Sequence, residues 1–170
     1  MSTGMPNDEV IRSTSDEALA DQQHGRRRMQ VKDVMKTEVR TVRRNDALAL
    51  ADKLMQEERI RHLPVLDEDG AVCAVVSQRD LFRGALLRAL GYGARAADTM
   101  LRQVVVKEAM SPDLHVATPN MPVTEAARVM IERKIGCLPV VEDGKLVGIV
   151  TETDFVRLIA DHGPGCASTT

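Results

Sequence analysis

Thr151-x-x-Asp154 follows the apolar run Val147–Val150, and Ser77-x-x-Asp80 follows the apolar run Val72–Val76. A hydroxyl and a carboxylate at this spacing, just after a strand, have two chemical uses. A helix that starts there leaves backbone N–H groups free, and its dipole attracts an anion. The hydroxyl can then bond a phosphate oxygen, while the two carboxylate oxygens suit the vicinal hydroxyls of a ribose. Charge-assisted bonds of this kind contribute about 1.5–3 kcal/mol each. Gly148, with no side chain, would let a flat group approach the strand. The other use is internal: Ser/Thr-x-x-Asp is also a helix-capping device. Asp is shorter than the Glu or Gln usual at that capping position, and the motif occurs twice, but duplication preserves caps as well as ligand sites.

The remaining reactive residues form no competing set. The chain has no phosphate-binding glycine loop, no Ser/His/Asp constellation and no metal-ligand cluster. His24, His62, His115 and His162 are scattered, without Cys or carboxylate at ligand spacing. Cys73, Cys137 and Cys166 are odd in number and lack C-x-x-C spacing. Cys73 and Cys137 sit in apolar runs and read as small buried hydrophobes in a reducing cytoplasm. A formal charge of −2 leaves no electrostatic footprint for nucleic acid. Phe82, Tyr92 and Phe155 are the whole aromatic set, too few to stack bases. No apolar run is long enough to span a membrane, and no secretory signal is expected. Hydrophobic residues at 44% and charged residues at 28% fit a globular domain.

The elements that must position the two motifs are themselves duplicated. Ile60-Arg61-His62-Leu63-Pro64-Val65 returns 75 positions later as Ile135-Gly136-Cys137-Leu138-Pro139-Val140. Val31-Lys32-Asp33-Val34-Met35 returns as Val106-Lys107-Glu108-Ala109-Met110. A short extended piece follows each, and then Asn45 or Asn120, placed to cap a helix. Ala47, Leu48, Ala51, Leu54 and Met55 recur at helical spacing, as do Val123, Ala126, Ala127, Met130 and Ile131. Leu-Pro-Val opens a strand, an acidic Gly-containing turn follows, and a second strand precedes the Ser/Thr-x-x-Asp motif. Each unit reads β-α-β-β-α, too small alone for a robust core, so two must pack together. The expected division is a flexible arm at 1–29, repeat one at 30–83, a helical insert at 84–105, repeat two at 106–162 and a tail at 163–170.

Leu-Pro-Val followed by Gly-h-h-Thr-x-x-Asp, in two tandem copies, resembles a cystathionine-β-synthase (CBS) domain pair, or Bateman module. Repeat one departs mildly, with Ala74 for the Gly and Ser77 for the Thr. The resemblance implies an α+β fold of two tandem β-α-β-β-α CBS repeats about a pseudo-twofold axis. It also implies two clefts that take AMP, ADP, ATP or another adenosyl ligand, with NAD and S-adenosylmethionine as further options. A homodimer, an effector protein as partner, and no enzymatic activity are likewise implied. The alternative is a structural dimerisation module with no nucleotide ligand.

Carried over residue by residue, the resemblance places Ile149, Thr151, Thr153 and Asp154 in one cleft with Thr37, Arg40, Ile60, Arg61 and His62. The second cleft takes Val75, Ser77, Arg79 and Asp80 with His115, Ile135, Gly136 and Cys137. Asp154 and Asp80 would hold ribose, Thr151 and Ser77 ribose or phosphate, and the aliphatic residues adenine. Arg61 can bind phosphate through its planar fork, and His62 ordinarily titrates near neutrality. The first cleft is therefore expected to bind a phosphorylated ligand more tightly than the second.

Overall fold

The computed structural model describes residues 29–81, 99 and 101–162. The expected arm other than Met29, the helix after Asp80, the Gly91-Tyr92-Gly93 break and the tail lie outside those residues. Repeat one begins with a 3-10 turn at Val31–Asp33 and continues through β1 (Val42–Arg43), α1 (Leu48–Glu57), β2 (His62–Leu66) and β3 (Val72–Ser77). Repeat two begins with a short helix, α2 (Val106–Ala109). It continues through α3 (Val123–Arg133), β4 (Cys137–Glu142), β5 (Lys145–Thr151) and α4 (Glu152–His162). β1 runs parallel to β2, and the pairs β2–β3 and β4–β5 are antiparallel. The Val42–Val65 pairing returns in repeat two as a single parallel bridge, Ala117 to Val140. The architecture is thus mixed α+β, built from two tandem copies of one unit.

Apolar spacing accounts for the helices. Leu48, Ala51 and Met55 of α1 are buried, as are Ala126 and Met130 of α3. Ile131, expected on the same stripe, is instead 77% exposed. Its helical angle places it about 100° beyond Met130, past the edge of the buried face. Leu63, Pro64 and Val65 are all buried, and so are Leu138, Pro139 and Val140. These Leu-Pro-Val strands are covered on both faces, as their unbroken apolar run predicts. The β4–β5 hairpin turns on Asp143 (φ 50°) and Gly144 (φ 76°), the two positive φ values that a tight hairpin requires.

The expected asparagine caps are not made. Ala47 and Pro122 occupy the cap positions, and neither helix start has a side-chain cap. Each asparagine binds the other repeat instead. Lys32 Nζ donates to Asn120 Oδ1 at 2.8 Å, and Lys107 Nζ donates to Asn45 Oδ1 at 3.2 Å. These bonds belong to a reciprocal exchange of the two lead-in segments. Val31 and Lys32 donate their N–H groups to the carbonyls of Met121 and Pro119, each at 2.9 Å. Val106 and Lys107 donate to Asp46 and Arg44, again at 2.9 Å. Val31 is fully buried in the core of repeat two, and Val106 in the core of repeat one. Burying each valine contributes about 1.5–3 kcal/mol. Every bridge across the repeats has a counterpart: Gln30–Pro122 matches Ala47–Val105, and Lys36–Ile149 matches Val75–Ser111. That correspondence is the pseudo-twofold axis. Leu101 also enters the core of repeat one, so the end of the expected insert packs there.

Candidate functional site

Both Ser/Thr-x-x-Asp turns are closed in the same way. Asp154 Oδ2 accepts from the Thr151 N–H at 2.8 Å and from the Thr151 hydroxyl at 2.6 Å. Asp80 Oδ2 accepts from the Ser77 N–H and hydroxyl, both at 2.7 Å. The internal use of the motif is therefore real in both turns, in repeat two at the start of α4, and one oxygen carries it. The other oxygen, Asp154 Oδ1, makes no hydrogen bond among the described residues and faces Lys36 Nζ at 3.7 Å and Arg157 Nη1 at 3.8 Å. Capping and ligand binding can thus share one carboxylate. Asp154 is 6% exposed, the one buried charged residue among those described.

The exchanged lead-ins bring each turn against the opposite repeat. Two non-glycine residues with left-handed backbone complete the approach: Arg59 (φ 53°) after α1 and Lys134 (φ 54°) after α3. That conformation costs roughly 1–2 kcal/mol at each position. It turns the chain sharply, so that Ile60-Arg61-His62 and Ile135-Gly136-Cys137 reach the space between the repeats. Two cavities result.

The first cavity, about 360 Å³, is lined by Arg40, Ile60, Arg61, His62, Ile149, Thr151 and Thr153, all expected. Asp154 lies beneath its turn rather than on the lining, and Thr37 is not among the lining residues. Lys36, Glu38, Val39, Glu58, Arg59 and Arg157 line it without having been anticipated. Of these, Arg157 had a sequence signal, since it stands one helical turn beyond Asp154. The second cavity, about 470 Å³, is lined by every expected residue: Val75, Ser77, Arg79, Asp80, His115, Ile135, Gly136 and Cys137. Arg61, His62, Gln78, Ser111, Asp113, Lys134 and Glu152 also line it. Both volumes fall in the range of small-molecule sites.

Charge separates the two. The first cavity gathers Lys36, Arg40, Arg59, Arg61 and Arg157 against Glu38 and Glu58, an excess of cations. In the second, Arg61, Arg79 and Lys134 balance Asp80, Asp113 and Glu152. Arg61 and His62 border both cavities, although their expected place was the first alone. Arg40 is already engaged, its Nε and Nη2 donating to Glu58 Oε1 at 3.0 and 2.7 Å. Glu58→Gln should free that guanidinium and tighten an anionic ligand in the first cavity about threefold, the scale of an exposed ion pair. Calorimetric titration with a phosphorylated and an unphosphorylated adenosyl compound checks this, since only the former should gain.

Gly136 and Gly148 owe their lack of a side chain to protein neighbours. A Cβ on Gly136 would lie 2.8 Å from His62 Nε2, so the imidazole packs against its backbone. Arg61-His62 and Gly136-Cys137 occupy equivalent positions, and the bulk of one pair fills space that the other leaves. A Cβ on Gly148 would lie 2.6 Å from Met35 Sδ and 3.0 Å from the Lys36 carbonyl oxygen. The exchanged lead-in, rather than a flat ligand, lies over that strand. His115 Nε2 is buried without a hydrogen-bond partner, 3.4 Å from Asp113 Oδ1 but poorly aligned with it.

Burial, reinforced by Arg61 and Arg79, holds the His62 pKa below its ordinary value, against the opposing pull of Glu152 and Asp80. His62 is therefore neutral at pH 7, which moves any cationic contribution to acid pH. The unfolded chain takes up this proton at higher pH than the folded chain does. Stability should accordingly fall as pH drops below about 6.5 toward the lower folded value. Urea midpoints between pH 7.5 and 5 should fall less steeply for His62→Gln than for the native chain. Cys137 is buried, and its thiol is pushed up to about 12 by burial and then by Glu152, which leaves it inert. Cys166 lies outside the described residues.

A family model described as CBS domain matches residues 31–86 and 106–161. CBS domain-containing protein YhcV of Bacillus subtilis is 34% identical over 140 residues, covering 82% of this chain and 92% of that protein. The CBS domain pair of protein MJ0100, solved in complex with 5′-methylthioadenosine and S-adenosyl-L-methionine, matches with a TM-score of 0.65 at 27% identity. That match covers 79% of this chain and 98% of the other. CBSX2, solved in complex with AMP, matches with a TM-score of 0.65 at 27% identity, over 79% of this chain and 99% of the other. The chain spans 42% of protein MJ1225 of Methanocaldococcus jannaschii and 24% of a homoserine O-acetyltransferase of Methanococcoides burtonii.

Proposed function

The chain belongs to the CBS domain family, and we propose that it is a regulatory module that binds adenosyl ligands in its two inter-repeat clefts. One observation carries this reading. Each Ser/Thr-x-x-Asp turn opens toward residues of the other repeat across a cavity of ligand size. In the first cleft, Asp154 Oδ1 would take a ribose hydroxyl while Oδ2 keeps the cap. Thr151 and Thr153 would add hydroxyl contacts, and Ile60 and Ile149 would flank adenine. The cation excess there favours AMP, ADP or ATP. In the second cleft, Asp80 and Ser77 would hold the ribose, with Val75 and Ile135 against the base. Its balanced charge suits an adenosyl compound without phosphate as well as one with it. The solved pairs that carry AMP, 5′-methylthioadenosine and S-adenosyl-L-methionine support this ligand class.

The bound ligand would act as a signal and leave unchanged. The module would report occupancy through a homodimer or a separate effector protein. Thermal shift with AMP, ATP, 5′-methylthioadenosine and S-adenosylmethionine tests the reading, because a ligand that binds only the folded state raises the midpoint. No shift with any of them would favour a purely structural module, a reading to which the already closed caps lend weight. Native mass spectrometry of the purified chain would identify a retained ligand by its mass.

A further inference from the structure

We propose that the two clefts are coupled through Arg61, so that a phosphorylated ligand in one weakens binding of a second in the other. The proposal rests on the adenosyl-binding reading above. In a symmetric pair each cleft would have its own residue at this position. Here the counterpart of Arg61, 75 positions on, is Gly136, which has no side chain to offer. Arg61 borders both cavities. Arg40, the other arginine expected to meet phosphate, is engaged by Glu58. Arg61 makes no ion pair among the described residues, so its fork is open to an incoming anion.

The backbone fixes this arginine at the boundary. The Arg61 carbonyl accepts from the Gln78 N–H at 2.8 Å, and the Gly136 carbonyl accepts from the Glu152 N–H at 3.1 Å. The imidazole of His62 lies against Gly136, and His62 lines both cavities. Thr151 and Thr153 line the first cavity while the intervening Glu152 lines the second, so one helix start faces both. A phosphate that draws the Arg61 fork into one cleft therefore withdraws it from the other and adds a like charge beside it. Uncharged adenosyl compounds make no demand on the fork and should bind the two clefts independently.

Calorimetric titration with AMP and with 5′-methylthioadenosine tests the coupling. Asp154→Asn disables the first cleft while its amide oxygen can still accept the cap bonds, which circular dichroism verifies. The weaker AMP step of the native chain should tighten about tenfold in Asp154→Asn, within the usual span of coupling between sites. The corresponding 5′-methylthioadenosine step should stay unchanged. Arg61→Gln should weaken AMP in both clefts, and adding Asp154→Asn to it should then produce no gain. If the native chain takes up one AMP, the second cleft should become measurable only in Asp154→Asn. A second-cleft AMP affinity that is the same with the first cleft intact or disabled would overturn the coupling alone. So would a gain that persists in Arg61→Gln. Absence of binding by either compound to the native chain would overturn the adenosyl reading and the coupling with it.

Discussion

Gly148→Val should lower stability by about 3 kcal/mol, at the upper end of the usual cost of overpacking a filled interior. The first added carbon meets Met35 Sδ at 2.6 Å, Met35 Cγ at 3.1 Å and the Lys36 carbonyl oxygen at 3.0 Å. A methionine side chain can bend away, but the carbonyl cannot. Lys36 is held by two backbone bonds to Ile149, one in each direction, both at 2.9 Å. A valine must therefore break that ladder or push the whole lead-in off repeat two. The equivalent position in repeat one is Ala74, and there the lead-in makes one backbone bond, Ser111 N–H to the Val75 carbonyl at 2.9 Å. The copy that has a methyl group thus docks its lead-in less tightly than the copy that has none. Equilibrium urea unfolding checks the prediction as a lower midpoint. A parallel drop in the slope would show that the lead-in had already left the native state. A midpoint equal to that of the native chain would mean that the exchange contributes little.

The second large effect is on the ligand. Asp154→Ala should weaken AMP binding in the first cleft by roughly 10- to 100-fold, the worth of charge-assisted bonds to a ribose. It should also cost about 1 kcal/mol of stability through the lost cap. Asp80→Ala should cost less AMP affinity, since the second cleft lacks the surplus of cations. The two carboxylates differ in surroundings as well. Asp154 is buried with Lys36 and Arg157 within 4 Å of its outer oxygen, whereas Asp80 has no such cation among the described residues. Titration of both variants with AMP gives the comparison, and a larger loss from Asp80→Ala would reverse the order of the clefts.

Much of the fold is legible in the chain because each repeat announces itself locally. The apolar stripe of α1, the Leu-Pro-Val strands and the Asp143-Gly144 turn depend on neighbours within a few positions. The lead-in exchange is not legible in that way. A 3-10 turn of three residues has no period, and the partner of Lys32 stands 88 positions away. Asn45 and Asn120 have the residue type and place of a cap, and only the fold reveals a lysine from the other repeat beside each. At the site, types and turns were readable but directions were not. Nothing in Arg61-His62 says that it stands on the boundary between two cavities. Gly148 invites a flat ligand until the folded chain lays Met35 and Lys36 across it.

The exchange of lead-ins has a consequence for ancestry. Each core is completed by a segment that belongs, in sequence, to the other copy, so neither repeat closes its own interior. The same interlock needs no covalent join between its halves. Two separate chains of one repeat each could make every one of these contacts, as a true twofold dimer. The stretch joining the repeats then acts as a tether, turning an encounter between molecules into one within a single chain at high effective concentration. Within one chain the two halves need not be identical. Here an arginine and a histidine stand on one side only, opposite a glycine and a cysteine on the other.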